Sequence, residues 1–199
     1  MSKDTNQLGF NNCPGGKSGM KYDESNLAKD LKSNKELAFK QLVKLYQESL
    51  YYHIRKIVIN HDDTDDVLQN TFLKVWNNID NFRQESALYT WLYRIATNEA
   101  ITFLNSRKRR SWLSLQDTSD ILMQSLQTDP YFDGEEIQIK LQKAILNLPD
   151  KQRIVFNMKY FDEMKYEDMS KILNTSVGAL KASFHHAVKK IEDYLLNTD

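Results

Sequence analysis

Apolar residues recur at helical spacing over most of the chain. The first stripe lies within 36–58, the second within 61–79, and the third within roughly 87–104. Spacings of three and four residues predict amphipathic helices, and the alternation that is typical of strands is missing. These stripes predict a first helical domain over 26–110, with a core made by the apolar faces of its helices.

A second group of apolar stripes follows the first domain. Pro149 ends the first of them, and the last two are separated only by 174–176. A further helical domain is therefore predicted over 137–199. The intervening segment 111–136 has six acidic residues and no basic one, and these acids are Asp117, Asp120, Asp129, Asp133, Glu135 and Glu136. The predicted fold is all-α, with two helical domains joined by an acidic linker.

The segment 1–25 differs in composition from the rest of the chain. It holds four of the six glycines and shows no apolar period, so a disordered tail is predicted. Lys17 and Ser18 complete the ending of a phosphate loop, which a phosphate-handling enzyme would use. Asn11 stands where that loop needs its first glycine, and no strand precedes it. The sequence therefore does not predict a nucleotide site here.

Composition and charge narrow the function classes. Lys plus Arg equals Asp plus Glu at 27 each, so any contact with nucleic acid must use locally concentrated positive charge. The single cysteine, Cys13, excludes an intramolecular disulfide, and no Cys/His cluster has the spacing of a metal site. No apolar run has the ~20 residues of a membrane helix, and the first twenty residues lack the apolar centre that is typical of a signal peptide. A cytoplasmic protein is expected, with no catalytic residue, cofactor or metal site.

The last two predicted helices have the spacing of a helix-turn-helix. Ser176 can cap the helix that begins at Val177, and small residues near its start would let the backbone approach DNA closely. Lys and His further along could contact phosphates or base edges in the major groove. A plain helical hairpin with a solvated face is the alternative. The predicted set for DNA contact is Ser176, Gly178, Ala179, Lys181, Ala182, His185, His186 and Lys189.

The third helix of the first domain carries a second candidate nucleic-acid surface. Trp91, Arg94 and Asn98 lie on one stripe, where an aromatic ring, a guanidinium and an amide could stack on and pair with bases. A buried tryptophan beside two surface polar residues is the alternative. The basic run Arg107, Lys108, Arg109 and Arg110 concentrates positive charge at the end of this helix, although such charges also complement a helix carboxy terminus.

The second helix is predicted to bury Leu68, Phe72, Val75 and Ile79. Its opposite side shows an exposed leucine within a polar rim. Leu73 is surrounded by Asp66, Gln69 and Asn70, an arrangement that suits a protein interface, although a single exposed leucine is common. The acidic residues at 62–66 could serve only to favour a helix amino terminus. The pattern therefore predicts a contact surface without naming the partner.

Three stretches together resemble the extracytoplasmic-function (ECF) sigma factors of bacterial RNA polymerase. The stretches are 65–76, then 82–83 with 90–96, then 148–156 with 166–173 and 176–181. The resemblance implies that the second domain binds the promoter element about 35 base pairs upstream of the start, and that the first domain melts and reads the element about 10 base pairs upstream. It also implies that 65–76 docks on the clamp coiled coil of the polymerase's largest subunit.

The resemblance assigns roles to individual residues. It implies that the polymerase core is bound by Asp66, Gln69, Asn70 and Leu73. Asn81, Phe82 and Arg83 would line a pocket for a flipped base, and Trp91, Arg94 and Asn98 would hold the fork. The expected partners are the polymerase core, promoter DNA and an anti-sigma factor. A free-standing helix-turn-helix regulator is the alternative.

The sequence departs from the family pattern at a few positions. Asn70 stands where a glutamate is frequent, which removes one charge from the core contact. Ser183 and His186 replace frequent arginines, which affects how strongly the helix holds phosphate. Trp91 is followed by Leu92, whereas housekeeping sigma factors have two adjacent aromatics, so weaker melting and a stricter promoter requirement are expected.

Overall fold

The computed structural model describes residue 27 and residues 34–82, 86–111 and 136–197, with the side chains of 110, 111, 136 and 137 excepted. Within these ranges the chain has seven α-helices, one 3₁₀-helix and no strand, which confirms the all-α fold class. The predicted tail, the linker between Ser111 and Glu136, and Arg83 lie outside the described residues. The helices are α1 Lys35–Val58, α2 His61–Asn78, the 3₁₀-helix Ile79–Asn81, α3 Leu88–Ser111, α4 Glu136–Leu146, α5 Asp150–Tyr160, α6 Tyr166–Leu173 and α7 Val177–Asn197.

Asparagine side chains cap the first two helices. Leu37 N–H donates to Asn34 Oδ1 at 3.4 Å, and Asp63 N–H donates to Asn60 Oδ1 at 3.0 Å. Between α1 and α2, Ile59 has a positive φ of 74°, and its N–H donates to Arg55 O at 2.8 Å. A branched residue rarely adopts this conformation, so the reversal between the helices is strained and relies on its cap.

The first unit comprises α1 to α3, and each of these helices packs against the other two. Its core takes Leu42, Leu50 and Ile54 from α1 and Leu92 and Ala96 from α3. The side chains that α2 buries are Thr64, Val67, Thr71 and Val75, which recur at three- and four-residue steps. This corrects the expected face of α2, because Leu68 and Phe72 are only partly buried at its edge, although Val75 and Ile79 are buried as expected.

The second unit comprises α4 to α7 and has an apolar cluster of its own. Phe156 on α5 stacks on Phe184 of α7 with ring centroids 5.8 Å apart. The buried members of this cluster are Ala144, Ile145, Leu148, Phe156, Phe161, Ala187 and Ile191. Three of the four predicted helices, α4, α5 and α7, therefore share contacts that do not involve the first unit, whereas the buried residues of α6 belong to the cluster of the first unit.

The two units also pack against each other. α6 lies against α3, and α5 lies against α1. The apolar cluster of the first unit continues without a break into the second, through Ile154, Val155, Met158, Met164, Met169, Ile172 and Leu180. No helix within the described ranges is long and apolar enough to cross a membrane.

Candidate nucleic-acid interface

The turn between α6 and α7 holds the two helices in a helix-turn-helix. Asn174 ends α6 in the left-handed conformation, with φ 49° and ψ 47°. Asparagine tolerates this conformation better than most residues, because its short polar side chain can bond locally. Ser176 Oγ accepts a hydrogen bond from Ala179 N–H at 3.3 Å, so the predicted cap of α7 is present.

One side of α7 is exposed along its first half. Leu180, Ala187 and Ile191 face the core, and the opposite side meets solvent. A Cβ placed on Gly178 would have no atom within 4 Å, so the glycine is not required by packing inside the chain. The exposed side holds every residue of the predicted set, namely Ser176, Gly178, Ala179, Lys181, Ala182, His185, His186 and Lys189.

The cationic residues of this surface have different surroundings. The Lys181 ammonium lies over the Tyr166 ring, 5.8 Å from its centroid, and the Lys159 ammonium lies 5.1 Å from the same centroid. The rings of His185 and His186 have centroids 6.0 Å apart. Within the described residues no group of three His, Cys, Asp or Glu side chains could hold a metal ion. Phosphate or base contact is the chemistry that these groups offer.

The predicted partner surface on α2 is exposed. Leu73 is 56% exposed, although it is a large apolar residue, and it lies on the side opposite Val67, Thr71 and Val75. The residues predicted around it are exposed too, namely Asp66, Gln69 and Asn70. Nearby, Asp63 Oδ2 accepts from Arg107 Nη1 at 2.8 Å, so this acid of the first turn does more than favour a helix terminus.

On α3 the predicted stripe is divided between solvent and core. Arg94 and Asn98 are exposed, whereas Trp91 is half-buried and packs on Phe82 with ring centroids 5.0 Å apart. Asn81 is exposed. Phe82 is 6% exposed and belongs to the apolar core, so little of its ring is open to a flipped base. Leu92 is fully buried, so position 92 offers no side chain to DNA in this structure.

Two cations of the basic run at the end of α3 form ion pairs with carboxylates of the same chain. Arg107 pairs with Asp63 within the first unit, and Lys108 pairs with Asp150 of the second. Arg109 is exposed. Arg110 is helical, and its side chain lies outside the described residues. Two of the four predicted phosphate-binding charges are therefore partly neutralised by carboxylates of the same chain.

A buried polar cluster joins the two units, and the sequence analysis did not find it. His53 Nδ1 donates to Asp162 Oδ2 at 2.6 Å, and the Lys56 ammonium donates to Asp162 Oδ1. His53 Nε2 lies 2.8 Å from Thr97 Oγ1, and Asn157 Nδ2 donates to Lys56 O at 2.9 Å. Burial alone would raise the pKa of Asp162, but His53 and Lys56 together outweigh it and lower the pKa below its usual value.

Comparison with known proteins assigns both units to one family. The sigma-70 region 2 family matches residues 42–110, and the sigma-70 region 4 family matches residues 138–191. The ECF RNA polymerase sigma-E factor of Haemophilus influenzae is 30% identical over 169 residues, which cover 78% of this chain and 86% of the relative. The chain belongs to the ECF sigma factors. Its first unit is therefore sigma region 2, and its second unit is sigma region 4.

Other relatives of this ECF sigma factor match over similar lengths. The ECF RNA polymerase sigma factor SigW of Bacillus subtilis is 29% identical over 175 residues, which cover 84% of this chain and 94% of the relative. Among solved structures, the sigma factor RpoE in complex with the anti-sigma factor NepR from Bartonella quintana has a TM-score of 0.64 and 25% identity. That match covers 81% of this chain and 98% of RpoE.

Proposed function

We propose that this ECF sigma factor binds the RNA polymerase core and directs it to promoters through two DNA contacts. The observation that carries the proposal is the exposed side of α7. All the predicted residues there are exposed to solvent, while Leu180 and Ala187 on the opposite side are buried and anchor the helix. Small residues at a helix start, followed by Lys and His, suit insertion into a major groove. α7 then binds the element about 35 base pairs upstream of the start.

The first unit opens and reads the element about 10 base pairs upstream. Arg94 and Asn98 are exposed on α3 next to Trp91, which gives this face a charge, an amide and an aromatic edge. Extruding a base costs a few kcal/mol, which contacts in the pocket must offset. In this proposal Asn81 and Arg83 hold the extruded base above Phe82, and Trp91 supports the fork from the side.

The polymerase core is bound through α2, at the surface of Asp66, Gln69, Asn70 and Leu73. An exposed leucine within a polar rim is what a transient protein interface requires. All catalysis belongs to the polymerase, and the sigma factor works where the polymerase does, in the cytoplasm. The linker 111–136 threads the RNA channel of the core, with its carboxylates in place of phosphates, and replacing its six acids with amides should weaken assembly with the core.

A transcription assay tests the function. Purified core plus this chain should initiate on genomic DNA at start sites that share two upstream elements, as determined by sequencing the 5′ ends of the transcripts. Leu73→Asp should abolish association with the core, because it places a charge in the apolar centre of the interface. The exposed Gln47→Ala on α1 is the control and should bind as the wild type does. Equal binding of a specific duplex with and without polymerase would favour the free-standing regulator instead.

An anti-sigma factor is the remaining proposed partner. The support is the similarity to RpoE, which was solved in complex with the anti-sigma factor NepR. Such a partner would mask the surfaces that the two units present to polymerase and DNA. Affinity capture with the full chain, followed by competition with polymerase core, tests this: a true anti-sigma factor is displaced as core is added.

A further inference from the structure

The apolar contact between the two units encloses one buried carboxylate. Asp162 follows α5, and both of its side-chain hydrogen bonds within the described residues go to α1, to His53 and Lys56. The three side chains are 1%, 2% and 7% exposed, respectively. Asn157 adds a bond from α5 to the backbone of Lys56, at 2.9 Å. These three bonds therefore cross from one unit to the other.

A second ion pair joins the units at the edge of the contact. Lys108, one of the cations predicted to bind phosphate, donates to Asp150 at the start of α5. We call the state in which the two units pack against each other the closed arrangement. In it the Lys108 ammonium faces a carboxylate of its own chain. DNA would have to replace that carboxylate with a phosphate.

The closed arrangement holds the two DNA surfaces too close together for a promoter. The proposed elements are about 25 base pairs apart, or ~85 Å at 3.4 Å per base pair. α6 packs against both α3 and α7, and packed helix axes lie ~8–10 Å apart, so the axes of α3 and α7 lie within ~20 Å. The length of α7, which has 21 residues and measures ~32 Å, does not close the gap. The units must separate before both elements can be bound.

The chemistry of the cluster suits a contact that forms and opens. A buried ion pair gains attraction but loses hydration, so it stabilises a closed state far less than apolar groups of the same size would. On opening, water solvates all three groups again. Removing only one partner is different, because the remaining charge is then buried without compensation. The cluster thus makes the contact specific without making it permanent.

We propose that the bonds of Asp162 to His53 and Lys56 form an autoinhibitory latch, which holds the two units closed and must open before the chain can span a promoter. The latch itself is a property of the free chain, and its inhibitory role rests on the proposed sigma function. Asp162 is suited to this role because α4, α5 and α7 share an apolar cluster that does not involve the first unit and can stay packed when the latch opens.

Thiol labelling of the free full-length chain measures the opening. In a Cys13→Ser background, Val155→Cys places the thiol in the cluster shared by the units, and Ala187→Cys places it in the second unit's own cluster. Asp162→Asn should accelerate labelling at 155 by about a hundredfold and leave labelling at 187 nearly unchanged. Lys56→Met combined with Asp162→Asn should reverse most of the acceleration, because no ammonium is then buried unpaired.

Matched variants separate opening from general destabilisation. Asp80→Asn removes the carboxylate of an exposed ion pair with Lys35 in the first unit, and labelling at 155 should not change. Asn157→Ala removes the bond to the Lys56 backbone, leaves both bonds of Asp162 in place, and should accelerate labelling at 155 by about fivefold or more. Unchanged labelling at 155 in Asp162→Asn would overturn the latch. Equal acceleration at 155 and 187 would overturn it too, since Asp162 would then hold the second unit itself together.

The inhibitory role is tested with polymerase. Asp162→Asn should lower the chain concentration that gives half-maximal initiation, by up to the same factor as the labelling. Faster labelling with an unchanged concentration for half-maximal initiation would show that the latch exists but does not inhibit. That result would overturn the inhibitory role. Absence of initiation with any variant would overturn the proposed sigma function, while the labelling result on the free chain would stand.

Discussion

Asp162 carries its charge in a position that is closed to water and lies between two basic side chains from a distant part of the chain. Burial raises its pKa and the two partners lower it by more, so the charged form is the one that the folded chain favours. A carboxylate with a lowered pKa contributes stability above its ordinary value of 3.8, and this contribution is lost as the pH falls through the lowered value. The contact between the units should therefore weaken in acid.

Asp162→Asn should lower the free energy of unfolding by up to about 3–5 kcal/mol at neutral pH, because Lys56 remains buried without its partner. The difference from the wild type should shrink as the pH falls below 3.8. Urea unfolding of both proteins at a series of pH values measures this. Asp80→Asn, on an exposed ion pair, should change stability by less than about 1 kcal/mol. A difference that does not vary with pH would contradict the role of the charge.

Gly178 is a second residue whose role can be measured directly. Added side-chain atoms would meet nothing within the chain, and glycine disfavours helix. Gly178→Ala should therefore raise the free energy of unfolding by about 0.5–1 kcal/mol, as measured by thermal unfolding. The same change should weaken promoter binding if the backbone of α7 approaches DNA closely. The reverse change Ala182→Gly, on the same exposed side, should lower stability by a similar amount and serves as the control.

Among the elements, the connection between α1 and α2 depends on one side chain. Asn60→Ala removes the acceptor for Asp63 N–H at the start of α2, and the free energy of unfolding should fall by about 1 kcal/mol. Urea unfolding gives the value. Asn77→Ala is the matched control, because Asn77 is exposed near the end of the same helix and should change stability by less than about 0.5 kcal/mol. Equal effects of the two changes would show that capping is not what Asn60 contributes.

The helices were predictable because each has an apolar stripe, a cap or a proline at its boundary. The prediction of the face of α2 was less accurate, since Val67 and Leu68 are adjacent apolar residues and only packing decides which one is buried. The α7 surface followed from the turn and the cap. The cluster around Asp162 did not, because its partners are 106 and 109 residues away and no local period connects them. His53 and Lys56 on an otherwise apolar stripe were the available signal.

The whole molecule has no net charge, with 27 basic and 27 acidic residues, yet it is proposed to hold a polyanion. Positive charge must then act locally, and the exposed side of α7 concentrates it at Lys181 and Lys189 while Arg107 and Lys108 are paired within the chain. Binding of phosphate releases counterions from DNA, so each phosphate contact adds to the salt dependence of affinity. The salt dependence therefore reports which lysines touch DNA.

Lys181→Ala and Lys189→Ala should each reduce the slope of log affinity against log salt concentration by about 0.9. The measurement uses the full chain bound to polymerase core on a promoter duplex, over a series of salt concentrations. Lys44→Ala is the control, since Lys44 is exposed on α1, a helix with none of the proposed DNA-binding residues, and the slope should not change. If Lys181→Ala weakened binding but kept the slope, its ammonium would be acting through Tyr166 on the shape of the helix-turn-helix. An equal loss of slope for all three would mean that the charge acts through the overall field of the protein, because only a lysine in contact with phosphate releases a counterion of its own.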